Sequence, residues 1–125
     1  MIDPAQRLPH RNPFLFLDRV TSLEPGVSGE AFALVTHLPA SSPLLLVEAM
    51  AQLAGVVAIE QEGEIGSLAA IDRAEFLVQV LPGDCLFIAV KIIKRFGRLI
   101  LCEGKIMRAG ETVATATLTL GVGAP

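Results

Sequence analysis

The chain has 125 residues, roughly one domain's worth, and is 52% hydrophobic with only 18% charged residues. Such a chain can bury a sizeable core. A net charge of -3 without any Lys/Arg run argues against a nucleic-acid partner, which needs a basic patch.

The opening, "MIDPAQRLPHRNP", has no apolar segment of the signal-peptide kind. "FLFLDRV" (14–20) reads as a first strand. "LEPG" (23–26) is a turn, with Pro25 and Gly26 where a type II turn takes them. "SGEAFALVTHL" (28–38) reads as a second strand, with Ala31, Ala33 and Val35 on one face and Phe32, Leu34 and Leu38 on the other. "PASSP" breaks it. Ser42 then offers an N-cap hydroxyl, and Pro43 suits the first helical position. The helix is expected to run to about Gln61, where "EGEIG" ends it. Its apolar residues cover almost every heading, so it should be buried on most sides. Glu48 stands within it, with Gln52 one turn later. A buried carboxylate is costly unless something pairs with it, which makes Glu48 the first residue to explain. The apolar stretch 43–59 is too short to span a membrane comfortably and holds both polar residues near its middle. A soluble, cytoplasmic protein with no membrane partner is expected.

After the helix the pattern is β. "SLAAIDRAEFL" (67–77) is a strand with a polar kink at Asp72 and Arg73, and "LPGD" (81–84) is a turn. "CLFIAVKIIKRF" (85–96), "LILCEGKIMRA" (99–109) and "TVATATLTLGV" (112–122) follow, joined by tight turns at Gly97-Arg98 and 109–111. They form an antiparallel meander. Cys85 and Cys102 lack CxxC spacing and read as reduced core residues. One helix buried all round needs a sheet that wraps it. The expected class is therefore α+β, with a curved antiparallel β-sheet around one long central helix. This is the hotdog arrangement, as one domain over residues 1–125. Such a sheet leaves an open edge, and pairing edges between two chains removes that liability. A homo-oligomer is expected, a dimer at least and a trimer of dimers as the larger option.

Three segments carry a family resemblance. "LPHRNPFLFLDRV" resembles the "LPHRYPFLLVDRV" opening of 3-hydroxyacyl-acyl-carrier-protein dehydratases of the FabZ type. "LLLVEAMAQLAGVVA" resembles their central helix, with "EAMAQ" matched at 48–52. "AAIDRAEF…VLPGD" resembles their "AGIDEARFKRPVVPGD". The resemblance implies the hotdog fold and dehydration of a 3-hydroxyacyl thioester carried on acyl carrier protein, a step of fatty acid biosynthesis. It implies that a His on the loop before the helix removes the α-proton. The helix Glu, here Glu48, supplied by the partner subunit, protonates the departing hydroxyl. A backbone N–H near the helix start polarises the thioester carbonyl. It implies no cofactor and no metal.

The sequence departs from the family at the base. The family's His stands in a "GHFPxxPxxPGV" segment, which nothing here matches in full. Two alignments are open. In one, "HLPASSP" is a shortened form of that segment and His37 is the base. In the other, His37 is an ordinary residue of the second strand and the catalytic loop is deleted. Pro43, standing where the helix begins, has no N–H to offer a carbonyl.

Glu48 is the candidate acid; the alternative is a carboxylate capped by Arg73 or by helix-end amides. Gln52, the candidate substrate-binding residue, shares its face. It orients Glu48, binds a pantetheine amide, or is a plain hydrogen-bond partner. His10 is expected to be structural. Arg73 is expected to pair locally with Asp72 or Glu75. Lys91, Lys94, Arg95 and Arg98 form either a solvated face or a dock for an acidic carrier protein. Three functions follow. One is a dehydratase acting on acyl carrier protein or acyl-CoA thioesters. The second is a catalytically degenerate member that binds acyl carriers or partners an active subunit. The third is an acyl thioesterase.

Overall fold

The computed structural model describes residues 3, 17–36, 42–59 and 63–123. They form β1 (Arg19–Glu24), β2 (Ser28–Leu34), α1 (Pro43–Ala58), β3 (Ile65–Phe76), β4 (Cys85–Phe96), β5 (Leu99–Arg108) and β6 (Glu111–Gly123). The strands make one antiparallel sheet in the order β1-β2-β4-β5-β6-β3. The helix packs against all six strands. This is the expected sheet wrapped around one helix, and β1 and β3 are its two edges.

The first hairpin follows its turn. The Val27 N–H donates to the Glu24 carbonyl at 2.9 Å, and Gly26 takes φ 77°, as the Pro-Gly pair requires. Counting back from that turn pairs Glu24 with Ser28 and Ser22 with Glu30, and a register shift between Val20 and Ser22 then brings Arg19 opposite Phe32. The described strand is the more polar "RVTSLE", with Leu17 and Asp18 of the expected run just ahead of it; residues 14–16 lie outside the described residues. Turn geometry set the register, and apolar content did not. The Asp18 carboxylate closes the end of the pair by accepting from the Leu34 N–H at 2.6 Å.

β2 alternates as its sequence indicates, with Gly29, Ala31 and Ala33 buried and Leu34 half exposed. It ends sooner than expected. The next residue, Val35, is still tied down: its N–H donates to the Asp84 carbonyl at 2.9 Å, and its carbonyl accepts from Gly83 at 2.7 Å. Leu38 lies outside the described residues.

Ser42 takes an extended backbone (φ -60°, ψ 138°) ahead of Pro43, as an N-cap residue should, yet its hydroxyl makes no cap bond. Its carbonyl instead accepts from the Leu45 and Leu46 N–H groups at 3.0 and 3.1 Å. The helix stops at Ala58, short of the expected end, because Ile59 turns extended (φ -71°, ψ 118°). From Ala49 to the end every helical residue is buried. Two glycines let the sheet come this close. A Cβ on Gly104 would stand 2.7 Å from Met50 Sδ, and a Cβ on Gly29 would stand 2.7 Å from Val57 Cγ2.

β3 is the polar strand of the sequence reading, and its kink is two register shifts, between Leu68 and Ala70 and between Ile71 and Arg73. The β4–β5–β6 meander is as expected. No described helix is long and apolar enough to cross a membrane.

Candidate active site

The helix opens to its surroundings only in its first two turns. Pro43, Leu44, Leu45 and Glu48 are its residues that escape burial. At about 100° per residue, Leu44 and Glu48 share a heading and Leu45 flanks them. Leu44 is 72% exposed. Glu48 is half-buried, so the sequence expectation of a sealed carboxylate is corrected for the single chain. The helix is apolar around Glu48, but this stripe is where one chain leaves it uncovered. One turn on, Gln52 continues the heading and is 2% exposed, the one buried polar side chain among the described residues. A buried amide brings donors and acceptors that need partners, so a Gln here is a specific choice over Leu.

A cleft of about 490 Å³ opens at the same end of the helix. Its helix wall is Ser42, Pro43 and Leu46; its other wall is the 76–80 segment that follows β3. That lining is mostly apolar, with Phe76 and Leu77 exposed along it. Leu46 and Glu48 lie about 200° apart around the helix. Within one chain, therefore, the cleft and the Glu48–Gln52 stripe face different ways. His37 and His10 lie outside the described residues.

The other singled-out residues find local roles. Arg73 pairs with Glu75, Nε to Oε1 at 2.9 Å, as expected of the local pair. Asp72 accepts from Thr119 Oγ1 at 2.8 Å across the β3–β6 pair. In the basic cluster, Lys91 stands 3.7 Å from Glu103, and Lys94 Nζ lies 4.7 Å above the Phe96 ring. Arg95 donates to the Ala58 carbonyl at 3.3 Å, placing a cation at the helix C-terminus, where the dipole favours it. Arg95 therefore sits at the opposite end of the helix from the cleft. Both cysteines are free thiols. Cys102 is buried and donates to the Leu118 carbonyl, and burial, helped by the nearby Asp72 charge, pushes its thiol up to about 12. Among the described residues no His/Cys/Asp/Glu group comes together to hold a metal.

One cluster escaped the sequence. Arg108 reaches Asp84, Glu111 and the Gln79 carbonyl, next to the cleft. "LPGD" signals the turn but not a partner for its aspartate, because Arg108 is distant in sequence and adjacent only through the β4–β5 pairing.

Comparison with known proteins adds the context. Residues 35–117 match the FabA-like domain family. The 3-hydroxyacyl-[acyl-carrier-protein] dehydratase FabZ of Streptococcus uberis is 34% identical over 97% of this chain and 96% of its own length. That alignment runs over 138 positions against a chain of 125, so the relative carries residues with no counterpart here. Among solved structures, the dehydratase heterocomplex ApeI:P from Xenorhabdus doucetiae aligns with TM-score 0.82, covering 97% of this chain and 91% of that one at 18% identity. The protein smu.793 of Streptococcus mutans UA159, bound to acetyl CoA, aligns with TM-score 0.73 over 93% of this chain and 94% of its own, also at 18% identity. At that identity these two structures speak for the fold.

Proposed function

The chain belongs to the FabZ-type dehydratase family and has its hotdog fold, and from that premise we propose that it dehydrates 3-hydroxyacyl thioesters carried on acyl carrier protein. The observation that carries the reading is the helix stripe. The family's helix motif sets Glu48 at the margin of burial and Gln52 beneath it, on the one heading that a single chain leaves open. The apolar cleft at the start of the helix suits an acyl chain. Cleft and carboxylate face apart within one chain, so the reading requires a dimer in which each Glu48 serves its partner's cleft. The long, exposed β3 supplies a free edge for that pairing.

In this reading His37, on the segment leading into the helix, takes the α-proton. Glu48 delivers a proton to the departing hydroxyl, and the product is the 2-enoyl thioester plus water. Covering the stripe with a second subunit closes the reaction site off from bulk water. Gln52 holds Glu48 in one orientation. Pro43 takes away one of the free amides at the helix start, so the carbonyl is polarised by the remaining ones.

A second reading has a specific observation in its favour. The relatives carry residues that this chain lacks, and loss of the histidine loop would leave a subunit that binds acyl carriers or completes an active partner. One assay separates the two. The protein is offered crotonyl and 3-hydroxyacyl thioesters on carrier protein and on coenzyme A. Dehydratase action predicts that Glu48→Gln and His37→Ala each lower turnover by about 10²–10⁴-fold while the fold persists. Turnover by neither wild type nor variants, with carrier binding intact, would establish the binding subunit. Thioester hydrolysis that survives His37→Ala would mark a thioesterase.

A further inference from the structure

The two walls of the cleft are built unequally. The helix wall belongs to an element packed on all six strands. The 76–80 wall follows the last residue of an edge strand, and Phe76, Leu77 and Gln79 are exposed along it. Val80, 1% exposed, roots its far end in the core, with Val78 packed against that core, and a few bonds fix the rest. The Leu77 N–H donates to the Val113 carbonyl at 2.8 Å. Arg108 Nη1 donates to the Gln79 carbonyl at 3.1 Å and to Asp84 Oδ2 at 2.6 Å. The same Oδ2 accepts from the Leu81 N–H at 2.9 Å. Arg108 Nη2 reaches Glu111 Oε1 at 2.8 Å.

This is more than a surface ion pair. The Arg108 and Asp84 side chains are 26% and 22% exposed, against 74% for Arg73 in its pair with Glu75. The planar guanidinium uses two nitrogens to hold three acceptors, two from the β3–β4 connection and one from the first residue of β6, which a lysine cannot do. The backbone on either side is fixed as well, because Gly83 and Asp84 bond to Val35, the residue just after β2. One side chain therefore ties together the free wall of the cleft, the β3–β4 turn and the β5–β6 turn.

We propose that Arg108 is a positioning residue for the cleft: through the Gln79 carbonyl and the Asp84 carboxylate it sets the distance of the 76–80 wall from the start of the helix, and so the length of acyl chain admitted. This rests on the cleft being the acyl site. Arg108 does not line the cleft, so it acts through the wall.

The test uses the full chain and the variants Arg108→Met, Arg108→Lys, Asp84→Asn and Glu111→Gln. Binding of butyryl- and decanoyl-coenzyme A is measured by calorimetry, and amide exchange is followed across 77–84. Arg108→Met and Asp84→Asn should weaken decanoyl binding on the order of tenfold and butyryl binding by less than about twofold, the scale of a lost hydrogen-bonded contact. The Leu81 amide should exchange faster in both. Arg108→Lys should recover only part of the loss, and Glu111→Gln, whose bond does not touch the wall, should bind as wild type. Equal weakening at both chain lengths, an equal effect of Glu111→Gln, or unchanged exchange would overturn the proposal. If Arg108→Met does not fold, the near-isosteric Asp84→Asn decides. Should the wild type bind neither thioester, the acyl reading falls by itself. Faster exchange confined to 77–84 would then still support the tie to the wall, and its absence would remove it.

Discussion

The two ends of the central helix are made to opposite specifications. At the C-terminal end Leu53, Val56 and Val57 are fully buried, Gly29 lets β2 close on Val57, and Gly66 lies against Gly55. Arg95 closes that end on Ala58, and Gly26 donates to the Val57 carbonyl at 2.8 Å. At the N-terminal end Leu44 and Leu45 look outward, Glu48 is half-buried, and a cleft separates the helix from the 76–80 segment. One end is where the fold stores its packing energy. The other is left open, apolar and lightly bonded, which is what a substrate or a second subunit needs. The difference teaches that burial along this helix is graded from one end to the other and is not a uniform property of an apolar sequence.

Substitutions at matched leucines test the contrast most strongly. Leu53→Ala should cost about 2–5 kcal/mol by leaving a cavity, whereas Leu44→Ala should stay within about 0.5 kcal/mol, both read from urea unfolding at low protein concentration. Equal costs would mean that the two ends are packed alike. A smaller effect is expected from filling space at the closed end. Gly29→Ala puts a methyl against Val57, whose branched side chain has essentially one helical rotamer and cannot step aside. The expected loss is about 1–3 kcal/mol. A neutral result would show that β2 yields there.

The smallest effect probes the open end through its clasp. The Leu81 N–H, and then Arg108, hold the Asp84 carboxyl below the ordinary carboxylate range; Glu111 and Asp84 in turn raise Arg108, which stays charged throughout. A carboxyl lowered in the folded state stabilises fully above its unfolded value and loses that contribution as pH falls through the folded one. The difference in Tm between wild type and Asp84→Asn should therefore be steady from neutrality to about pH 4 and close below it. A gap that persists into strong acid would show that the charge on Asp84 is not what the clasp uses.

Much of this was legible in the residues themselves. Thr, Val and alternating apolar positions placed the meander, and β4 begins and ends where the sequence indicated. Pro25 and Gly26 placed the first turn. What apolar content missed was the polar end of the first strand, since β1 overlaps the expected run only at Arg19 and Val20 and continues to Glu24, where hairpin pairing starts at the turn. The helix motif identified Glu48 and Gln52, but their unequal burial was invisible. Two residues one turn apart on one heading read alike in sequence, and only the surrounding sheet distinguishes them. The Arg108 clasp on Gln79 and Asp84 had no signal, since both are far from Arg108 in sequence and only the β4–β5 pairing brings them together.

By itself the sequence determined the family and the one-helix wrapped sheet. Those depend on local chemistry: periodicity, turn residues and a short motif. Only the tertiary structure decided which way the carboxylate faces, where the cleft lies, and what holds its free wall. Those are relations between segments far apart in the chain. Helix phase puts Glu48 and the cleft on different sides of one axis, and the pairing of β4 with β5 carries Arg108 to Asp84. The same geometry makes the second subunit a chemical requirement of the proposed reaction, because one chain alone points its acid away from its own cleft.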